Sequence, residues 1–222
     1  MEKFRGKTVL IPRSREWKLI DETDKYSGKQ RRECKSVTGK ECMLYPFPAG
    51  MKVLSMFKPR KWLDPCAGWG DRLRCAIAYG CEYLGVDTNI DMAPAYEAIR
   101  QTGDPEKVQV KLGRFQSVRL TKKYDLVFTS PPFYTKEVYA HMKIWETVGE
   151  FMTEFMKPLL RKSYKYLEDG GHLVLYIEDK GVDSFILLMK DYAEKIGFTY
   201  EGAFYYEAST PRPYYVWVKK MT

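Results

Sequence analysis

One short stretch constrains this chain more than any other: Trp62-Leu63-Asp64-Pro65-Cys66-Ala67-Gly68-Trp69-Gly70-Asp71-Arg72-Leu73. A brief apolar run ends on an acid and enters a turn with two glycines. A helical pattern from Arg72 to Tyr79 follows at once. Glycine supplies the left-handed backbone that so sharp a strand-to-helix turn demands, and it lets backbone come close to a ligand. Helix N–H groups just beyond can receive a carboxylate. A second strand, Tyr83 to Asp87, ends on an acid 23 residues after Asp64. An acid in that place can accept both hydroxyls of a ribose. The third glycine of the dinucleotide pattern is replaced around Leu73. A nicotinamide dinucleotide, or a tight turn with no ligand, are the competing readings of the motif taken alone.

The rest of the chain repeats the alternation. Strands are predicted at Lys61 to Asp64, Tyr83 to Asp87, Val108 to Lys111, Tyr124 to Phe128 and His172 to Glu178. Helices are predicted at Arg72 to Tyr79, Met92 to Thr102 and Ser184 to Ile196. Val148, Phe151, Met152, Phe155, Met156, Leu159 and Leu160 recur at helical spacing, and Gly170-Gly171 is predicted to end that helix. Two closing strands, Phe198 to Glu207 and Tyr214 to Lys219, form a hairpin. The pattern predicts a parallel sheet with an antiparallel strand near its end.

A second chemical signal follows the fourth strand: Thr129-Ser130-Pro131-Pro132-Phe133-Tyr134. At the carboxyl edge of a parallel sheet this loop faces the same crevice as the glycine turn. Consecutive prolines fix the backbone, so that the Ser130 hydroxyl and Pro131 carbonyl can be held toward a substrate. An amine on an aromatic ring is a poor nucleophile because its lone pair is delocalised. Two hydrogen bonds from it favour a pyramidal nitrogen, and alignment then supplies the catalysis without a metal or a covalent intermediate. Phe133 is placed to stack on a base, and Tyr134, Tyr139 and Trp145 to wall its pocket.

Asp64-Pro65-Cys66-Ala67-Gly68-Trp69-Gly70 resembles the first motif of class I S-adenosylmethionine-dependent methyltransferases, in the form common among base amino-methyltransferases. Ser130-Pro131-Pro132-Phe133 resembles their fourth motif, and the serine form is most typical of cytosine-N4 enzymes. The resemblance spans roughly residues 60–220. It implies a Rossmann-like fold with a mostly parallel seven-stranded sheet, an antiparallel C-terminal hairpin strand and helices on both faces. It implies S-adenosylmethionine bound by Asp64, Cys66, Ala67, Gly68, Gly70 and Asp87, with Phe115 beside the adenine. Residues 44–57 are similar to the segment that packs over the methionine end in some of these enzymes. Pro65-Cys66 superficially matches the Pro-Cys pair of cytosine-C5 enzymes. Its place inside the glycine turn makes Cys66 a small packing residue rather than a nucleophile.

The implied substrate is the exocyclic amine of a base: cytosine N4 in DNA first, adenine N6 next, RNA as the alternative polymer. A net charge of +8 and pI near 9.1 fit a polyanionic partner. Residues 1–45 read as a basic extension before a catalytic domain of residues 46–222. Arg31 and Arg32 are the candidate substrate contacts within the run from Lys29 to Lys40. No large recognition domain follows Phe133, so a protein partner is a candidate source of sequence recognition. A non-catalytic nucleic-acid-binding subunit is the alternative from a different class, and protein glutamine methylation a third reading. Five cysteines without a Cys-x-x-Cys pair indicate neither a disulfide framework nor a zinc site. With no signal core or membrane-length apolar run, a cytoplasmic or nuclear protein is expected.

Overall fold

The computed structural model describes residues 3, 5, 7–9, 35–36, 44–134, 137–139, 141–179, 184–206 and 212–221. The strands are β1 Lys7–Val9, β2 Lys35–Ser36, β3 Lys61–Asp64, β4 Glu82–Asp87, β5 Val108–Leu112, β6 Tyr124–Thr129, β7 Glu137–Val138, β8 Leu167–Tyr176, β9 Phe198–Tyr206 and β10 Pro213–Lys219. The α-helices are α1 Phe47–Phe57, α2 Asp71–Tyr79, α3 Ala93–Arg100, α4 Val148–Phe151, α5 Lys157–Tyr166 and α6 Phe185–Lys195. Eight strands form one sheet in the order β1-β9-β10-β8-β6-β3-β4-β5. Only β10 runs against its neighbours; every other pairing is parallel. All seven expected strands are present, and Lys7–Val9 add an eighth at the edge beside β9. A separate two-stranded pairing joins β2 to β7.

The central strands are buried on both faces, and their side chains alternate between two cores. Trp62, Leu126, Phe128, Val174 and Val216 enter one core, together with Leu54 of α1, Leu73 of α2 and Ile99 of α3. Leu63, Val127, Leu173, Leu175 and Trp217 enter the other, with Phe151, Leu159 and Phe185 of α4, α5 and α6. The chain leaves β3 toward β5 on one side, then returns through β6 to β8 on the other. Strand order therefore reverses between β3 and β6, and a crevice opens at their carboxyl ends.

Two local departures from the expected elements have plain causes. The helix predicted from Val148 is interrupted by a wider π-type turn at Met152–Met156. Pro158 lies just beyond it, and proline removes one backbone donor and crowds the carbonyl four residues earlier. Gly170 and Gly171 do not end the helix, which stops at Tyr166. They lie within β8, where the pairing with β6 jumps from Tyr124–Leu167 to Leu126–His172. Gly170 has φ +79°, and a Cβ on Gly171 would stand 2.8 Å from the Glu168 carbonyl oxygen. The glycines serve this bulge.

Candidate active site

The crevice holds a cavity of about 1000 Å³, at the upper end of what a single small ligand occupies. The glycine turn after β3 forms one wall, and the Ser-Pro-Pro-Phe loop after β6 forms another. The two are joined directly: the Cys66 N–H donates to the buried Thr129 hydroxyl at 3.1 Å. Ala67 N–H donates to the Val86 carbonyl at 2.9 Å, tying the same turn to β4. Three parallel strands thus set where the turn sits relative to the loop.

The residues of the turn divide into those that face the cavity and those that hold it up. Cys66, Ala67 and Gly68 line it. Gly68 has φ +60°, and a Cβ built there would meet Arg72 Nη2 at 3.8 Å, an ordinary contact, so the left-handed backbone rather than crowding is what favours glycine here. Gly70 was expected to face the ligand as well, but it does not line the cavity. A Cβ on Gly70 would meet Ile99 Cδ1 at 2.6 Å, so this glycine lets α3 pack against the turn. Asp64 is likewise displaced from its expected role. Fully buried, it takes Arg72 Nε at 2.8 Å, the Tyr83 hydroxyl at 2.8 Å and the Cys66 N–H at 3.3 Å. Arg72 also donates to the Cys66 carbonyl. The carboxylate braces the turn from beneath. Burial pushes the Cys66 thiol well up, and Asp87 and Asp64 add to it, which leaves no thiolate for nucleophilic chemistry.

Asp87, the residue expected to accept a ribose, ends β4. One carboxylate oxygen accepts from the Gly68 N–H at 2.7 Å and the other from the Asn89 N–H at 2.9 Å. Each oxygen retains a lone pair, and the residue lines the cavity. Burial raises its carboxyl above the usual range, against the two backbone bonds that lower it. Beyond β5, Phe115 and Gln116 line the same half. Their loop is pinned by Lys162 of α5, whose ammonium donates to the carbonyls of Phe115, Gln116 and Val118 and lies 5.1 Å from the Phe115 ring centroid. Asp71, the first residue of α2, also lines the cavity and accepts from the Tyr45 N–H at 3.2 Å, which draws residues 44–46 over this end.

On the opposite side Ser130, Pro132 and Phe133 line the cavity. Among the described residues the Ser130 hydroxyl has no hydrogen-bond partner. Pro131 is buried and contributes no surface to the wall, so the two prolines act on Ser130 through the backbone. Phe133 is only 3% exposed, and the Arg212 guanidinium lies over its ring at 5.1 Å. Arg212 thus covers one face of the ring on which a base was expected to stack. Tyr134 turns away with φ +53°, packs against Phe151 and donates to the Glu146 carbonyl at 3.1 Å. It does not line the cavity, whereas Tyr139 and Trp145 do. Arg31 and Arg32 lie outside the described residues.

Asp71, Tyr176 and Arg212 line the cavity without having been singled out for it. Asp71 was legible as the acid that closes the glycine turn. Tyr176 and Arg212 arrive from distant strands and carry no local signal. Among the described residues no three His, Cys, Asp or Glu side chains assemble as a metal site requires, and no helix is long and apolar enough to cross a membrane.

Neither a protein-family model nor a curated protein sequence matches the chain. Solved structures do match, and they define the fold as that of the class I S-adenosylmethionine-dependent methyltransferases. A methyltransferase from Pyrococcus furiosus superposes with a TM-score of 0.58 at 16% identity, over 90% of this chain and 100% of that one. A TehB-like S-adenosylmethionine-dependent methyltransferase from Corynebacterium glutamicum gives 0.57 at 17% identity, over 90% and 98%. The N-methyltransferase NodS from Bradyrhizobium japonicum gives 0.57 at 12% identity, over 79% and 94%. Identities this low speak for the fold alone.

Proposed function

We propose that this protein is an S-adenosylmethionine-dependent methyltransferase acting on the exocyclic amine of a nucleic-acid base, cytosine N4 in DNA before adenine N6. One observation carries the reading. A glycine turn with an acid at the tip of the next strand, and a serine set between a strand end and two prolines, open onto one cavity and are joined by the Cys66–Thr129 bond. The cofactor half fits an adenosyl ligand: Gly68 lines it without a side chain, Asp87 keeps acceptor capacity on both oxygens, and Phe115 supplies an apolar wall. Bound there, S-adenosylmethionine supplies an electrophilic methyl group on a sulfonium. Gly68, Asp87 and Phe115 would hold it.

The Ser130 hydroxyl accepts an amine N–H and orients the nitrogen, while the surrounding aromatic side chains exclude water. Preorganised polar groups in such an enclosed site act more strongly than in water. The nucleic-acid half of the reading is supported by charge. The run from Lys29 to Lys40 brackets β2, and the β2 backbone pairs with β7, which directly precedes Tyr139 in the cavity wall.

The test is incubation with methyl-labelled S-adenosylmethionine and, separately, DNA and RNA, followed by nucleoside mass spectrometry. Labelled N4-methylcytosine from DNA is the expected product. Ser130→Ala should lower turnover by about 10²–10³-fold with cofactor affinity kept, whereas Asp87→Ala should weaken cofactor binding in calorimetry. Cofactor binding with no label in either polymer would sink the base-amine reading.

A further inference from the structure

Arg212 is a cation held in place at the cavity wall, where it pairs with the buried Glu178 carboxylate and still presents donors to the cavity. It enters from the hairpin between β9 and β10, with a side chain 21% exposed. Its guanidinium carbon lies over the Phe133 ring, 5.1 Å from the centroid, and its Nε stands 3.3 Å from the buried Glu178 carboxylate. Those two contacts anchor the group at the wall. Among the described residues the Nη1 and Nη2 donors have no hydrogen-bond partner. The residue lines the same cavity as Ser130, and Phe133 stands three positions from Ser130 in the loop.

We infer that Arg212 is the specificity-determining residue of the acceptor pocket, reading the ring nitrogen and carbonyl that lie beside the amine of cytosine. The inference rests on the base-amine reading above. Cytosine presents N3 and O2 as adjacent acceptors on the edge that carries its amine, and the two-pronged donor of a guanidinium matches such a pair. Adenine presents only N1 on that edge, followed by a C–H. A phosphate is the poorer occupant, because the backbone of a target nucleotide stays at the cavity mouth while the base goes in. Phe133, in turn, serves as the platform for Arg212 rather than for the base.

The experiment compares wild type with Arg212→Met, which keeps an apolar stem over Phe133, and Arg212→Lys, which keeps the charge without the fork. Substrates are oligonucleotides carrying one cytosine, one 3-deazacytosine or one adenine; 3-deazacytosine keeps the amine and O2 but replaces N3 by C–H. Wild type should lose about ten- to hundredfold in kcat/KM between cytosine and 3-deazacytosine. Arg212→Met should lose a similar factor on cytosine and treat the two substrates alike, with unchanged S-adenosylmethionine affinity as proof of folding. Full rescue by Arg212→Lys would indicate a simple charge contact and overturn the inference. So would an Arg212→Met enzyme that still discriminates, or a wild type that methylates adenine and not cytosine, which would leave the base-amine reading standing. Bound cofactor with no base labelled at all would remove that reading and this role together.

Discussion

Replacing Arg72 by methionine tests whether the buried acid beneath the glycine turn is a structural brace. Arg72 and Asp64 have side chains 4% and 0% exposed and meet at 2.8 Å. Burial alone would depress the guanidinium, yet Asp64 and Tyr83 hold it raised. Arg72→Met keeps most of the volume but leaves the Asp64 carboxylate with only the Tyr83 hydroxyl and the Cys66 N–H. Removing one partner of a buried pair costs about 3–5 kcal/mol, a large part of the roughly 5–15 kcal/mol that holds a domain together. Asp64→Asn should cost a comparable amount, since it strands the guanidinium. The double variant Asp64→Asn/Arg72→Met contains no buried charge at this point, so it should be far less damaged than the sum of the two. Urea unfolding of the four proteins gives the coupling energy directly. The expected value is about 2 kcal/mol or more. A loss under about 1 kcal/mol for Arg72→Met, or additive single effects, would refute the brace.

Other outcomes follow from the same geometry. Gly70→Ala should destabilise by about 2 kcal/mol or more, because strain at φ +87° adds to a clash with Ile99. Gly80→Ala, at φ +86° with nothing within 4 Å, should cost about 1 kcal/mol; equal losses in thermal unfolding would contradict the packing argument. Lys162→Met should weaken S-adenosylmethionine binding by about tenfold through the loosened loop after β5, with the KM for nucleic acid unaltered; unchanged affinity in calorimetry would dismiss that role. His172 is held below its ordinary value by burial, against the pull of Glu201 at 3.2 Å. Its neutral form therefore stabilises the fold above about pH 6.5, and that contribution is lost as the pH falls through the lowered value. His172→Gln should flatten this part of the stability profile, and an unchanged slope between wild type and variant would rule it out.

From β3 onward the order of the main-sheet strands and the helices was legible, because each buried strand is a short apolar run and each helix carries a periodic face; α1, ahead of β3, had not been read as a helix. β1 was not legible either, since Lys7-Thr8-Val9 is too short to show a period and acquires its strand only by pairing with β9. The cofactor half could be read largely from one contiguous segment, but proximity in sequence hid a division of labour. Asp64 and Gly70 sit within a few residues of Gly68, yet both point into the protein, toward Arg72 and Ile99. The acceptor half was less legible. Phe133 and Tyr134 are adjacent, but the left-handed backbone at Tyr134 turns one toward the cavity and the other toward Phe151. Arg212 reaches Phe133 across 79 residues of chain, a distance over which no spacing rule operates.

The cavity draws its two halves from different parts of the chain. Apart from the cover at residues 44–46 and the Lys162 prop, the cofactor side is built between Pro65 and Ser117; the opposite side is built from Ser130 onward, ending at Arg212. The hydrogen bond from Cys66 to Thr129 sits at the seam. Such a layout is modular for selection as well as for chemistry. With Arg212 reading the acceptor as inferred above, a substitution in the closing hairpin would retune which acceptor is admitted and leave the donor end, encoded upstream and braced from below, in place.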